Sequence, residues 1–239
     1  MTTFVLVHGA WHGAWCWHRL VPQLVRRGHR VLTPDLPGHG RDHSPAPGLK
    51  LEDYASTVLA ELNRLREPAV LVGHSLGGMV ISRAAELAPE RVRLLVYLTA
   101  FLPGDGDSLR ELADTDTSSL LLQYCRVEQE AMLLHVSHAG IRPALYADCS
   151  NEDVALAERA LQPEPLGPMA ESISLSAARW GSVPRAFIEC TADRSVPLSL
   201  QRRMAAAHPC GRVVTLPSGH SPFFSMPERL AEVLTELAP

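Results

Sequence analysis

The four apolar residues Ala69–Val72 run directly into Gly73-His74-Ser75-Leu76-Gly77, and Gly78 and an alanine-rich stretch to Leu87 follow. Few architectures accommodate a G-x-S-x-G between a strand-like and a helix-like segment. The serine must sit on a tight strand-to-helix turn, where small residues two before and two after it relieve crowding. The following helix N-terminus favours negative charge developing nearby. The pentapeptide alone also suits a structural loop, but the flanking segments favour a nucleophile.

The rest of the chain repeats the same alternation. Strands are expected at Phe4–Val7, Arg30–Thr33, Ala69–Val72, Arg93–Leu98, Arg185–Cys190 and Arg212–Leu216, and helices at Trp15–Arg27, Leu51–Arg66, Leu76–Leu87, Leu198–Ala207 and Pro227–Leu237. Short β-branched runs alternating with amphipathic ones specify an α/β fold, a mostly parallel sheet of about six strands with helices on both faces. About 85 residues separate the fourth strand from the fifth, far beyond an ordinary crossover. Helical periodicity in Leu109–Leu122, Glu128–His138 and Glu152–Leu161, between Pro- and Gly-rich borders, makes this stretch a helical lid. The expected division is a core of residues 1–101 and 183–239 with a lid of 102–182.

A serine needs a base to become nucleophilic, and eleven histidines are available. In a fold with this elbow the partners follow the serine in the order acid, then histidine. Asp193 lies just past the strand Arg185–Cys190, and His220 lies in the loop Pro217–Pro222 after the last strand. Two donors are needed for the oxyanion. The backbone N–H of Leu76 is one, and that of Ala10, in the small-residue turn Val7-His8-Gly9-Ala10-Trp11, is the other. Asp35 precedes the elbow and reads as a turn residue. His8 and His74 read as structural, Cys125 and Cys190 as core positions.

Composition narrows the function classes. A net charge of −4 offers no basic patch for nucleic acid or an anionic membrane. The five scattered cysteines form no C-x-x-C pair, which argues against a zinc site or disulfide framework and fits a reducing cytoplasm. Neither a secretory leader nor a membrane-length apolar run is visible. The expected partner is a small-molecule substrate, with no nucleic acid and no membrane; a homodimer is compatible with this reading.

The start of the chain, Phe4-Val5-Leu6-Val7-His8-Gly9-Ala10-Trp11-His12-Gly13-Ala14-Trp15-Cys16-Trp17, resembles the plant methylesterase and hydroxynitrile lyase group of α/β-hydrolases. Tyr146–Val154 and Pro163-Glu164-Pro165-Leu166 resemble that group's lid, so the likeness covers nearly the whole chain. It implies an enzyme without metal or cofactor, with Ser75, Asp193 and His220 as a triad. The lyase branch carries threonine, cysteine and lysine where this chain has Ala10, Leu76 and Ser221, so the resemblance points to the esterase branch. The expected reaction is hydrolysis of a small alkyl ester of a compact apolar or aromatic acid. Trp11, Leu121, Leu122, Tyr124 and Met132 are the expected pocket walls. Lyase, lactone, thioester or pathway-specific chemistry on the same triad remains open, as does a non-catalytic small-molecule binder.

Overall fold

The computed structural model describes residues 1–238. Six parallel strands, β1 (Thr3–Val7), β2 (Arg30–Leu32), β3 (Ala69–His74), β4 (Val92–Leu98), β8 (Arg185–Cys190) and β9 (Arg212–Leu216), form one sheet in the order β2-β1-β3-β4-β8-β9. The central β3 is buried at all six positions, which is why its sequence is continuously apolar rather than alternating. The edge strand β9 exposes Arg212, Val213 and Thr215. Chain direction across the sheet reverses between β1 and β3, and register pairs Val7 with Gly73 and His74 with Leu98. The carboxyl ends of β1, β3 and β4 therefore open on one crevice, the place where open α/β sheets bind ligands.

Helix α2 (Leu51–Asn63) buries Leu51, Tyr54, Ala55, Val58 and Leu62, one stripe at helical spacing. Its first turn is closed by the Asp53 carboxylate, which accepts from the Lys50 N–H at 2.8 Å. Helix α3 (Gly77–Leu87) is buried almost throughout, and its small residues let it lie close beneath the sheet. The expected helix Trp15–Arg27 is instead a 3-10 turn, Ala14–Trp17, followed by α1 (Leu20–Arg26). Pro22 explains the break: it is tolerated in a first turn, whereas deeper in a helix its ring would clash with the carbonyl four residues back.

The lid departs further from expectation. Helix α4 (Leu109–Asp114) has a capping box, with the Ser108 hydroxyl accepting from the Glu111 N–H at 3.2 Å and the Glu111 carboxylate from the Ser108 N–H at 3.0 Å. It ends eight residues short of Leu122, because the Asp116 carboxylate accepts from the Ser118 N–H at 2.8 Å and turns the chain. A single 3-10 turn, Leu121–Tyr124, follows. The expected helix Glu128–His138 does not form. Strands β5 (Cys125–Glu128) and β6 (Leu133–Val136) pair antiparallel there, and β7 (Glu164–Pro165) adds to β6 through Leu134 and Glu164. The reversal is made at Met132, which takes a left-handed φ of 55°. The helix Asn151–Ala160 forms close to its expected place.

Candidate active site

Ser75 occupies the turn between β3 and α3 at φ 52°, a left-handed conformation unusual for a residue with a side chain. Its carbonyl is fixed from two directions, by the N–H groups of Gly78 at 3.0 Å and Phe101 at 3.1 Å. The surroundings leave no room for larger neighbours. A Cβ on Gly73 would lie 2.4 Å from the Gly77 carbonyl oxygen, and one on Gly77 would lie 2.6 Å from that of Val7. The glycines are therefore needed for close backbone approach at this turn.

Past the ends of β8 and β9, Asp193 and His220 come together. His220 donates from Nδ1 to Asp193 Oδ2 at 2.7 Å, and both side chains are almost completely buried. This fixes the ring's tautomer and leaves Nε2 as the nitrogen able to take a proton. The Asp193 carboxylate is fully engaged: Oδ1 accepts from the N–H groups of Ser195 at 2.7 Å and Val196 at 2.9 Å, and Thr99 Oγ1 donates to Oδ2. Thr99 is a site residue that sequence reasoning misses. Its only sequence signal is a polar residue just past the apolar strand β4, at the sheet edge where such groups gather. The lid also grips the histidine loop, since Asp148 Oδ2 accepts from Ser218 Oγ at 3.0 Å and the Gly219 N–H at 2.8 Å.

Three further histidines surround the site, and hydrogen bonding fixes the tautomer of each. His8 accepts the Leu36 N–H at Nε2, 3.1 Å, so Nδ1 donates to the Gly9 carbonyl at 2.9 Å. His12 donates from Nδ1 to the Ala10 carbonyl at 2.7 Å and accepts the Tyr146 hydroxyl at Nε2, 2.6 Å. His74 donates from Nε2 to the His220 carbonyl at 2.9 Å, with its ring 4.5 Å from that of His220. Each arrangement holds a neutral ring. Burial pushes His8 and His74 well below the usual histidine range and His12 down to about 3, and neighbouring histidines add to all three shifts. Asp35 behaves as the turn residue expected of it, accepting from the Ala14 N–H at 2.6 Å and from Arg41.

The N–H groups of Ala10 and Leu76 have no acceptor among the described residues. Both residues, with Ser75, line a cavity of about 550 Å³ between the sheet edge and the lid. Trp11, Leu121, Leu122 and Met132 line it, together with Cys125, Val127 and Leu134 of the lid hairpin. Tyr124 is not part of the wall. It precedes Cys125, whose side chain faces the cavity, and alternation along the strand turns Tyr124 the other way, against Gly140. The surface is mainly apolar, and Arg110 is its only basic side chain.

Residues 4–233 match the alpha/beta hydrolase family. The chain belongs to that family. It is 32% identical over 247 residues to putative methylesterase 11, chloroplastic, of Arabidopsis thaliana, an alignment covering 98% of this chain and 63% of that protein. Methylesterase 1 of the same plant is 32% identical over 250 residues, covering 98% of this chain and 95% of the relative. The crystal structure of polyneuridine aldehyde esterase superposes with a TM-score of 0.90 at 27% identity, covering both chains completely. Within the family, the parallel sheet and elbow described above are this chain's own version of the shared core. No helix among the described residues is long and apolar enough to cross a membrane.

Proposed function

We propose that the protein hydrolyses a carboxylic ester through an acyl-enzyme on Ser75. Ser75 Oγ attacks the carbonyl carbon while its proton passes to His220 Nε2, and Asp193 stabilises the imidazolium that forms. The oxygen that gains charge is held by the Ala10 and Leu76 amides. Collapse expels the alcohol, which takes the proton from His220. Water then repeats the sequence on the acyl-enzyme, giving its proton to His220 and releasing the acid.

The observation that carries this reading is the convergence, at the inner end of an apolar cavity, of a serine on a strained turn and two amides without acceptors, with an Asp-held histidine packed beside the turn. The apolar walls favour a compact apolar or aromatic acyl group, and relatives named methylesterases favour a small alcohol such as methanol. Hydrolysis of p-nitrophenyl and methyl esters graded by acyl size, by this protein and its Ser75→Ala variant, tests the reading. We expect turnover to fall by about 10³-fold or more in the variant. A folded wild type that turns over none of the panel would overturn it.

A further inference from the structure

Glu164 belongs to the lid and takes no part in the chemistry described so far, yet its fully buried carboxylate receives contacts from three parts of the core. The Trp11 N–H donates to Oε2 at 3.1 Å and the Tyr54 hydroxyl to Oε1 at 3.0 Å. His39 Nε2 lies 2.9 Å from Oε2, an ion-pair contact without hydrogen-bond alignment. His39 already donates from Nδ1 to the Pro37 carbonyl at 3.1 Å. A carboxylate facing Nε2 favours the imidazolium form of this ring. Burial alone would lower the basicity of His39, but Glu164 outweighs it and raises the ring above the usual range.

The residue that Glu164 holds is the neighbour of Ala10. Trp11 is fastened to the lid at every polar group it has: N–H to Glu164, Nε1–H to the Leu134 carbonyl at 2.8 Å, and carbonyl oxygen to the Gln162 N–H at 2.9 Å. It is held this way at φ 64°, a strained conformation for a bulky residue that persists only where the surroundings impose it. The preceding peptides are tied at their oxygens, Gly9 by His8 Nδ1 and the His12 N–H, Ala10 by His12 Nδ1. Of the two consecutive amides in the turn, Glu164 occupies that of Trp11, and that of Ala10, at the cavity wall, has no acceptor among the described residues. Without the carboxylate the tie on the Trp11 amide is lost while those on its ring and carbonyl remain, so its φ can shift toward negative values and turn the Ala10–Trp11 peptide.

We propose that Glu164 is a positioning residue for the oxyanion hole: by holding the Trp11 amide at its left-handed φ, the lid fixes the direction of the Ala10 N–H. The proposal rests on the reading of Ala10 and Leu76 as oxyanion donors. It makes the lid a part of the catalytic geometry as well as a wall of the cavity.

The test follows reaction of Ser75 with an alkyl fluorophosphonate. Ser75 Oγ bonds to phosphorus, fluoride leaves with the proton relayed by His220, and the phosphoryl oxygen occupies the same hole, so no ester substrate is required. Labelling by Glu164→Leu should be slower by about 10- to 100-fold in the maximal rate, with half-saturation within about threefold of wild type, because a hole donor rather than cavity binding is lost. Glu164→Gln keeps an oxygen acceptor at full reach and should label within about fivefold of wild type.

Glu86 supplies the structural control. Its carboxylate likewise ties lid to core, accepting from the Ser176 N–H and hydroxyl at 2.8 Å each and the Trp180 N–H at 3.1 Å in the returning lid segment, at the far end of α3. Glu86→Leu should lose stability and label at the wild-type rate. Wild-type labelling by Glu164→Leu would overturn the proposal, as would equal slowing in Glu86→Leu. If Glu164→Leu does not fold, Glu164→Asp, one methylene short, must label more slowly than Glu164→Gln, and equal rates overturn the proposal. A wild type that labels but hydrolyses no ester defeats the esterase reading and leaves the positioning role of Glu164 to be decided by the variants' labelling rates; one that does not label defeats both.

Discussion

The floor and the roof of the cavity are built in opposite ways. The floor, made of the β1 turn, the Ser75 elbow and the ends of β4 and β8, is buried, and its glycines touch backbone so closely that an added methyl would overlap it. The roof is a lid hairpin with the 3-10 turn before it, where Val127 is 50% exposed, Leu122 47% and Met132 37%. A floor held by many mutually dependent contacts tolerates almost no change, and close-packed interiors transmit any change widely. A half-exposed roof is free to vary. The proposed chemistry thus rests on the floor, with the lid entering it through Glu164, while the half-exposed hairpin and turn shape the outer wall of the cavity.

Gly78→Ala tests the rigidity of the floor most severely. Its new Cβ would lie 2.1 Å from the Phe101 carbonyl oxygen, so backbone must move, and a loss of about 3 kcal/mol in denaturant melts is expected. A near-neutral result would show the floor to be as adaptable as the roof. Acid is the next lever. His8, His12 and His74 have folded-state pKa values below their unfolded ones, so their contribution is complete above the ordinary histidine pKa and is lost as pH falls beneath it. For His12 the window closes near 3. Each histidine adds up to about 1.4 kcal/mol per pH unit within its window, and melting temperature should drop steeply from pH 7 to pH 5 with protons taken up on unfolding. A flat profile would mean that the rings beneath the floor are charged.

Thr99→Val removes one of the groups that hold Asp193 but leaves His220, Ser195 and Val196 in place. We expect about 1–2 kcal/mol lower stability by urea melts and a kcat reduced by about 3- to 10-fold, with KM nearly unchanged. The smallest effect belongs to the roof. Leu122→Ala and Val127→Ala should leave stability within about 0.5 kcal/mol while shifting relative kcat/KM for long against short acyl esters by about 2- to 10-fold. Large stability losses there would remove the distinction between the two surfaces.

The same contrast decides what can be read from the sequence. The floor is written locally: strand, glycine, serine and helix are consecutive, and Asp193 and His220 each follow a strand that alternation already marks. The roof is written across distance. Leu133 and Leu134 pair with Glu128 and Val127 on one side and with Pro165 and Glu164 on the other, and the second partnership lies about thirty residues away, so Glu128–His138 reads as helix until the pairing is known. Tyr124 reads as a cavity residue for the same reason, since its direction follows from a strand the sequence does not announce. Thr99 and Glu164 give little signal of a role in the site, because a single polar residue beside apolar ones is ordinary in sequence. Only their burial and partners distinguish them.

The position of the lid between β4 and β8 also governs when the protein acquires reactivity. Synthesis delivers β1 to β4 first, and with them the elbow and both amides, but the sheet is completed by β8 and β9 from beyond the lid. Non-local parallel pairing of this kind is slow. A nascent chain therefore carries its serine without base or acid until the last quarter has left the ribosome and docked. Under the proposed triad, Ser75 gains its base and acid only when the sheet closes.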